Sequence, residues 1–230
     1  MASADDPARF DRAAVAKRLD HAVLKPTLGD GDLAAAARMC LARGVGCLCV
    51  RSCDVAEAAR LLRGGSVAVA SVVGFPHGNV RPEVKALEAS LAIEDGAVEI
   101  DMVMNIPAFL SGRHVDVARD IRAVVEAAGR SGGIVKVILE TCLLSLDEIA
   151  TACRIAEESG ADFVKTSTGF ASGGATHEAV AVMLQSVGSR LGVKASGGIR
   201  TWGDCVAYLE QGCSRIGVGD AAAILDGAGS

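Results

Sequence analysis

Short runs rich in Val, Ile and Cys alternate along this chain with longer, Ala-rich runs whose apolar positions recur at helical spacing. Read for period-two and helix-period patterning, the sequence predicts strands at residues 19–24, 46–50, 67–73, 97–103, 135–139, 161–166, 192–196 and 214–218. Helices are predicted between and after them, at 32–43, 54–63, 81–95, 112–130, 146–159, 176–189, 202–211 and 220–225. A further helix at 7–18, within an N-terminal extension spanning 1–18, is predicted ahead of the first strand.

Several helix-to-strand joints repeat one form: Ala-Arg-Gly-Val at 42–45, Glu-Asp-Gly-Ala at 94–97, Glu-Ser-Gly-Ala at 158–161 and Glu-Gln-Gly-Cys at 210–213. A Gly at such a joint ends the helix in the left-handed conformation and turns the chain back into the sheet. Regular alternation of strand and helix implies a parallel sheet. Eight such units in about 210 residues fit a closed (β/α)₈ TIM barrel. An open doubly wound sheet would want a Gly-rich phosphate turn after its first strand. Lys-Pro-Thr-Leu-Gly-Asp stands there instead, at 25–30. No linker or shift in composition interrupts the pattern, so residues 1–230 read as one domain.

Aromatic residues are only 3% of a chain that is 50% hydrophobic, so the core has to be built from aliphatic side chains. The net charge of -5, without a basic run, argues against a nucleic acid or an anionic membrane surface as partner. Neither a signal peptide nor an apolar run long enough to cross a bilayer is evident, and a cytoplasmic location is expected. The eight cysteines fall in apolar segments without zinc-ligand spacing, which predicts reduced, structural thiols and no metal.

The chain has six lysines among many more arginines, and three of the six fall in predicted strands: Lys136, Lys165 and Lys194. Burying an ammonium is costly, so a lysine in a strand needs a reason. Unlike Arg, Lys can lose its proton, and only the neutral amine is a nucleophile. Lys165 and Lys194 end neighbouring strands six and seven, at the end of the barrel where active sites lie. A second cation nearby favours the neutral amine of the first. Asp101 on strand four points inward with Glu99 and can hold a water, move a proton or pair with a lysine. One inward Lys–Asp pair would equally make a buried salt bridge, but two lysines facing one carboxylate point to chemistry. Lys136 could pair with Asp101 or with Glu140.

Glycines cluster at adjacent strand ends: Thr168-Gly169 and Gly173-Gly174 after strand six, Gly197-Gly198 after strand seven, and Gly217 and Gly219 at strand eight. Barrels commonly bind phosphate there through loop amides. Thr168, Gly169, Gly197, Gly198, Gly217 and Gly219 are therefore candidate phosphate-binding residues, with Arg200 as a candidate charge; tight turns alone would need the same glycines. Other polar residues read as structural. His77 shapes a loop, His21 pairs with Asp20, Trp202 and Tyr208 pack, and Ser145 caps a helix.

The motifs around these positions resemble deoxyribose-phosphate aldolases. They are Leu-Asp-His-Ala-Val-Leu-Lys-Pro (19–26), Val-Val-Gly-Phe-Pro-His-Gly (72–78), Glu-Ile-Asp-Met-Val-Met-Asn (99–105), Lys-Val-Ile-Leu-Glu-Thr (136–141), Phe-Val-Lys-Thr-Ser-Thr-Gly-Phe (163–170) and Lys-Ala-Ser-Gly-Gly-Ile-Arg-Thr (194–201). The resemblance runs in register from about residue 19 to 226. It implies a metal-free, Schiff-base lyase of deoxyribonucleotide and carbohydrate catabolism that splits 2-deoxy-D-ribose 5-phosphate into acetaldehyde and D-glyceraldehyde 3-phosphate. It also implies the roles: Lys165 forms the imine, Lys194 perturbs it and relays protons, and Asp101 is the acid/base partner.

The chain departs from the family in two places. After strand eight the usual Thr-Ser-Ser-Gly is replaced by Val218-Gly219-Asp220-Ala221, which removes hydroxyls and adds a carboxylate. After Cys49-Val50 an aromatic residue and Pro are replaced by Arg51-Ser52. Two rival readings follow: a Schiff-base aldolase for another, unphosphorylated aldehyde or deoxysugar, and a barrel that only binds a sugar phosphate. No pattern fixes the oligomeric state; a homodimer is carried forward as an expectation.

Overall fold

The strands observed are Leu19–Val23 (β1), Cys47–Val50 (β2), Ala68–Val73 (β3), Glu99–Val103 (β4), Ile134–Ile138 (β5), Phe163–Lys165 (β6), Gly192–Ser196 (β7) and Arg215–Val218 (β8). In this computed structural model, which describes residues 10–228, they close into one parallel barrel in sequence order, with β8 pairing back onto β1. The helices are Arg12–Ala16 (α1), Asp30–Arg43 (α2), Val55–Leu61 (α3), Pro82–Glu94 (α4), Ile106–Leu110 (α5), His114–Gly129 (α6), Leu146–Glu158 (α7), His177–Val187 (α8), Trp202–Gln211 (α9) and Ala221–Asp226 (α10).

Local chemistry sets these boundaries. Gly44 takes φ 66° and ends α2, as its joint predicts. Ser145 and Glu148 cap α7 reciprocally: Glu148 N–H donates to Ser145 Oγ at 3.3 Å and Ser145 N–H to Glu148 Oε2 at 2.7 Å. The N-terminal helix is shorter than expected, spanning Arg12–Ala16 behind an Asp11 cap, and residues 7–9 of the expected helix lie outside the described residues. Helix α5 was not predicted. Asn105 caps it by accepting from Ala108 N–H, but five residues are too few to show a periodic pattern.

Alternation along each strand divides the core. Outward side chains such as Leu48, Val50, Val69, Ile100 and Val137 pack under the helices in one large apolar cluster. Inside the barrel, Cys47 and Cys49 of β2 and Ala70 and Val72 of β3 make a small apolar cluster with Leu24. Asp20 and strands β4 to β8 fill the rest of the interior with charge, and these groups build the site.

Candidate active site

Asp101 is fully buried on β4 and gathers three lysines. Its Oδ1 accepts from Lys136 Nζ at 2.7 Å, and its Oδ2 from both Lys165 Nζ and Lys194 Nζ at 2.7 Å. Strand register produces this. Asp101 lies opposite Lys136 across β4 and β5, and Lys165 opposite Lys194 across β6 and β7. The three residues that the sequence singles out for lysine chemistry therefore meet.

Beneath them lie groups that the sequence reading left out of the site. Lys194 Nζ also contacts Asp20 Oδ2. Arg215 Nε donates to Asp20 Oδ1 at 2.8 Å, and its Nη1 and Nη2 donate to Glu99 at 3.1 and 2.9 Å. Lys136 contacts Glu99 Oε2 at 2.5 Å. One expectation is corrected here, and one open alternative is decided, Lys136 pairing with Asp101. Asp20 does not pair with His21; successive residues of a strand face opposite ways, and His21 Nδ1 instead accepts from Ala221 N–H at 3.3 Å. Lys136 takes Asp101 and Glu99, whereas Glu140 accepts from Thr168 N–H at 3.2 Å and from its hydroxyl at 2.5 Å. Glu140 sits just beyond β5 with φ 58°, a left-handed conformation unusual for a residue with a side chain.

The charges are strongly coupled. Burial alone would push Lys194 and Lys136 towards their neutral forms, but Asp101 and Asp20 outweigh it and hold both ammoniums above the usual lysine range. Burial likewise opposes ionisation of the acids, yet Lys194, Lys136 and Arg215 bring Asp20 down to about 2, and the three lysines hold Asp101 well below the carboxylate range. Four cationic groups (Lys136, Lys165, Lys194 and Arg215) thus face three carboxylates (Asp20, Glu99 and Asp101). The cluster balances when one lysine is neutral. Among the described residues Lys165 contacts Asp101 as its one carboxylate, and it opens on the cavity.

That cavity has a volume of about 690 Å³ and is lined by Lys165, Lys194 and all six candidate phosphate-binding residues: Thr168, Gly169, Gly197, Gly198, Gly217 and Gly219. Gly217 has a steric reason as well. A Cβ there would stand 2.8 Å from Ser196 Cβ, which would have to shift, and 3.2 Å from Lys194 Cε, which would have to give slightly. Asp220 is the N-cap of α10, where it accepts from Ala223 N–H at 3.0 Å, and it too lines the cavity. Phe170 forms part of the wall, edge-on to Phe75 with ring centroids 5.1 Å apart. The sequence reading also passed over Cys49, which lines the cavity with its thiol pushed up to about 11 by burial and by Asp101.

Among the described residues, the trio with metal-ligand spacing is Asp20, Cys47 and Glu99. Its carboxylates are already engaged by Lys136, Lys194 and Arg215, and burial keeps the Cys47 thiol protonated, so these donors do not suit a cation. Six cysteines are buried, as their apolar surroundings predict, but Cys53 and Cys142 are exposed on short 3₁₀ turns.

A (β/α)₈ barrel with a lysine so placed at its C-terminal mouth has the layout that imine chemistry on a carbonyl compound requires. The profile of the DeoC/LacD family of aldolases matches residues 14–214, and the chain belongs to that family. It is 48% identical over 211 residues to a deoxyribose-phosphate aldolase of Streptococcus gordonii, covering 92% of this chain and 95% of that one. A Clostridium perfringens protein of the same name is 43% identical over 218 residues, covering 95% and 97%. The deoxyribose phosphate aldolase of Aeropyrum pernix, described as a tetramer, superposes with a TM-score of 0.88 at 32% identity, covering 94% of this chain and 91% of that one.

Proposed function

We propose that this protein is a deoxyribose-phosphate aldolase, cleaving 2-deoxy-D-ribose 5-phosphate reversibly into acetaldehyde and D-glyceraldehyde 3-phosphate. The neutral Lys165 amine adds to the aldehyde carbon of the open-chain sugar, and loss of water leaves a protonated imine. Removal of the C3 hydroxyl proton lets the C2–C3 bond break, with its electron pair drawn into the imine as an enamine. D-Glyceraldehyde 3-phosphate leaves. A proton returned to C2 and hydrolysis of the imine then release acetaldehyde and the free lysine. Asp101 and Lys194, in direct contact at 2.7 Å, move these protons with water as the carrier to the substrate. The protonated imine is the electron sink, so the reaction needs no metal or other cofactor.

The observation that carries this reading is the position of Lys165, on the cavity and 2.7 Å from the Asp101 oxygen it shares with Lys194. The loops of Thr168, Gly169, Gly197, Gly198, Gly217 and Gly219 form the phosphate end. Substrate identity is further supported by the relatives' names at 43–48% identity. The test is borohydride trapping with acetaldehyde followed by peptide mapping. An ethyl group on Lys165 is expected; labelling elsewhere, or none, overturns the assignment.

A second reading, an aldolase for an unphosphorylated deoxysugar, is favoured by one feature: the Asp220 carboxylate at the phosphate end. Comparing kcat/KM for deoxyribose and its 5-phosphate decides between them. Both readings suit a reducing, cytoplasmic setting, supported by eight unpaired cysteines and by the lack, among the described residues, of a helix long and apolar enough to cross a membrane. A homodimer is part of the reading. Val84, Leu87 and Leu91, 50 to 60% exposed along one stripe of α4, support a contact there.

A further inference from the structure

The phosphate end of the cavity poses an electrostatic problem. The turn after β8 would ordinarily offer free amides to an anion. Here Ala223 N–H is taken by Asp220 Oδ1 at 3.0 Å, and Ala221 N–H by His21 Nδ1 at 3.3 Å. Asp220 itself adds negative charge on this wall. A dianionic substrate entering here meets two amides already in use and a carboxylate, so positive charge must come from elsewhere.

Four cationic side chains line the cavity: Lys25, Lys165, Lys194 and Arg200. Lys165 and Lys194 lie deep and are bound to Asp101. Lys25 and Arg200 are exposed at the rim, and neither has an ion-pair partner among the described residues. Arg200 belongs to the loop after β7. Lys25 comes from the other side, following β1. Register sets its place: His21 lies opposite Val218, so the chain beyond β1 rises beside Gly219 and Asp220.

The Lys25 turn is also braced. Leu28 N–H closes it onto Lys25 O at 3.1 Å. Arg51 Nη1 then donates to both Lys25 O at 3.2 Å and Leu28 O at 3.0 Å, and Asp54 holds the guanidinium from behind at 2.5 Å. Arg51 lies in one of the two places where this chain leaves its family's pattern, and Asp220 lies in the other. The structure joins the two departures across one cavity.

We propose that Lys25 is a phosphate-recognition residue of this enzyme, held at the rim by Arg51 and offsetting Asp220. The proposal rests on the aldolase reading above and adds to it where the substrate's charge is met. A lysine here acts as a point charge on the phosphate and leaves the imine chemistry alone. Arg51 acts through the turn, as a positioning residue.

The experiment measures steady-state kinetics of Lys25→Gln, Lys25→Arg and Arg51→Met with deoxyribose 5-phosphate and with deoxyribose. Calorimetric titration of inorganic phosphate into each protein runs in parallel. Lys25→Gln is expected to raise KM for the phosphorylated sugar about tenfold, the size of one charge-assisted hydrogen bond, with deoxyribose kinetics moving less than twofold. Phosphate affinity should fall by a similar factor. Lys25→Arg should restore most of both, and Arg51→Met should give a smaller rise confined to the phosphorylated sugar. If Lys25→Gln leaves phosphate affinity unchanged, or shifts both sugars equally, Lys25 is not the recognition residue. Failure of the wild type to cleave either sugar would instead count against the aldolase reading, while the phosphate titration still decides the role of Lys25.

Discussion

Lys165 and Lys194 donate to the same oxygen of Asp101, each at 2.7 Å, so the two amines face one another across a single negative charge. Lys194 also contacts Asp20, and its two acids favour its charged form, whereas among the described residues Lys165 contacts Asp101 alone. Lys194 is thus tied to two carboxylates and Lys165 to one among the described residues.

The first prediction concerns that amine. Lys165→Arg retains a donor to Asp101 but makes the positive charge permanent, and a guanidinium cannot form the imine. Activity should drop by several orders of magnitude while the circular dichroism spectrum and melting temperature stay close to wild type. Ordinary turnover by Lys165→Arg would rule out the Schiff-base reading.

Lys194 should leave its mark on the pH profile. Lys194→Leu removes a cation, so the surrounding carboxylates favour the protonated Lys165 more strongly. The acid limb of the pH–rate curve should move to higher pH, with a large loss at neutrality and partial recovery under alkaline conditions. A variant curve of unchanged position and height would make Lys194 purely structural.

Asp220 offers a clean substitution because Ser can cap α10 as well as Asp does. Asp220→Ser thus keeps the bond to Ala223 N–H and removes only the charge. At an exposed site this is worth about 1 kcal/mol, or roughly fivefold. KM for deoxyribose 5-phosphate should fall by that factor, and KM for deoxyribose should hardly move. Equal constants before and after would show that Asp220 is a helix cap alone.

The buried acids predict how the fold responds to acid. Asp20 titrates at about 2 in the folded chain against an ordinary 3.8, so the folded state binds fewer protons between these values. Its stabilisation is complete above about pH 4 and is lost as pH falls towards 2, amounting to about 2 kcal/mol, with Asp101 adding in the same direction. Urea unfolding at pH 7, 4 and 2.5 measures this; a free energy that stays flat down to pH 2.5 would contradict it.

The barrel was legible because alternation of strand and helix, with glycine joints, leaves few other folds. Lys165, Lys194 and Asp101 were legible because charged side chains stand out in apolar strands. Rarity in a strand is the signal, not burial as such: Lys85 is equally buried, pairs with Asp120 at 2.6 Å between α4 and α6, and lies outside the site. Asp20 was misread through its sequence neighbour, although strand alternation alone separates it from His21. Arg215 and Glu140 stayed hidden because their partners, Glu99 and Thr168, are 116 and 28 residues away. Lys25 looks like any loop lysine until β1 is seen beside β8.

The ion network also spans the chain in time. Asp20 lies 174 residues before Lys194 and 195 before Arg215, and all three meet only where the first strand joins the last. During synthesis the early strands carry Asp20, Glu99 and Asp101 before their final counter-charge exists. An emerging chain that lacks β8 therefore holds its acids without Arg215. The charge balance of the barrel interior is thus completed only when the last strand closes the ring.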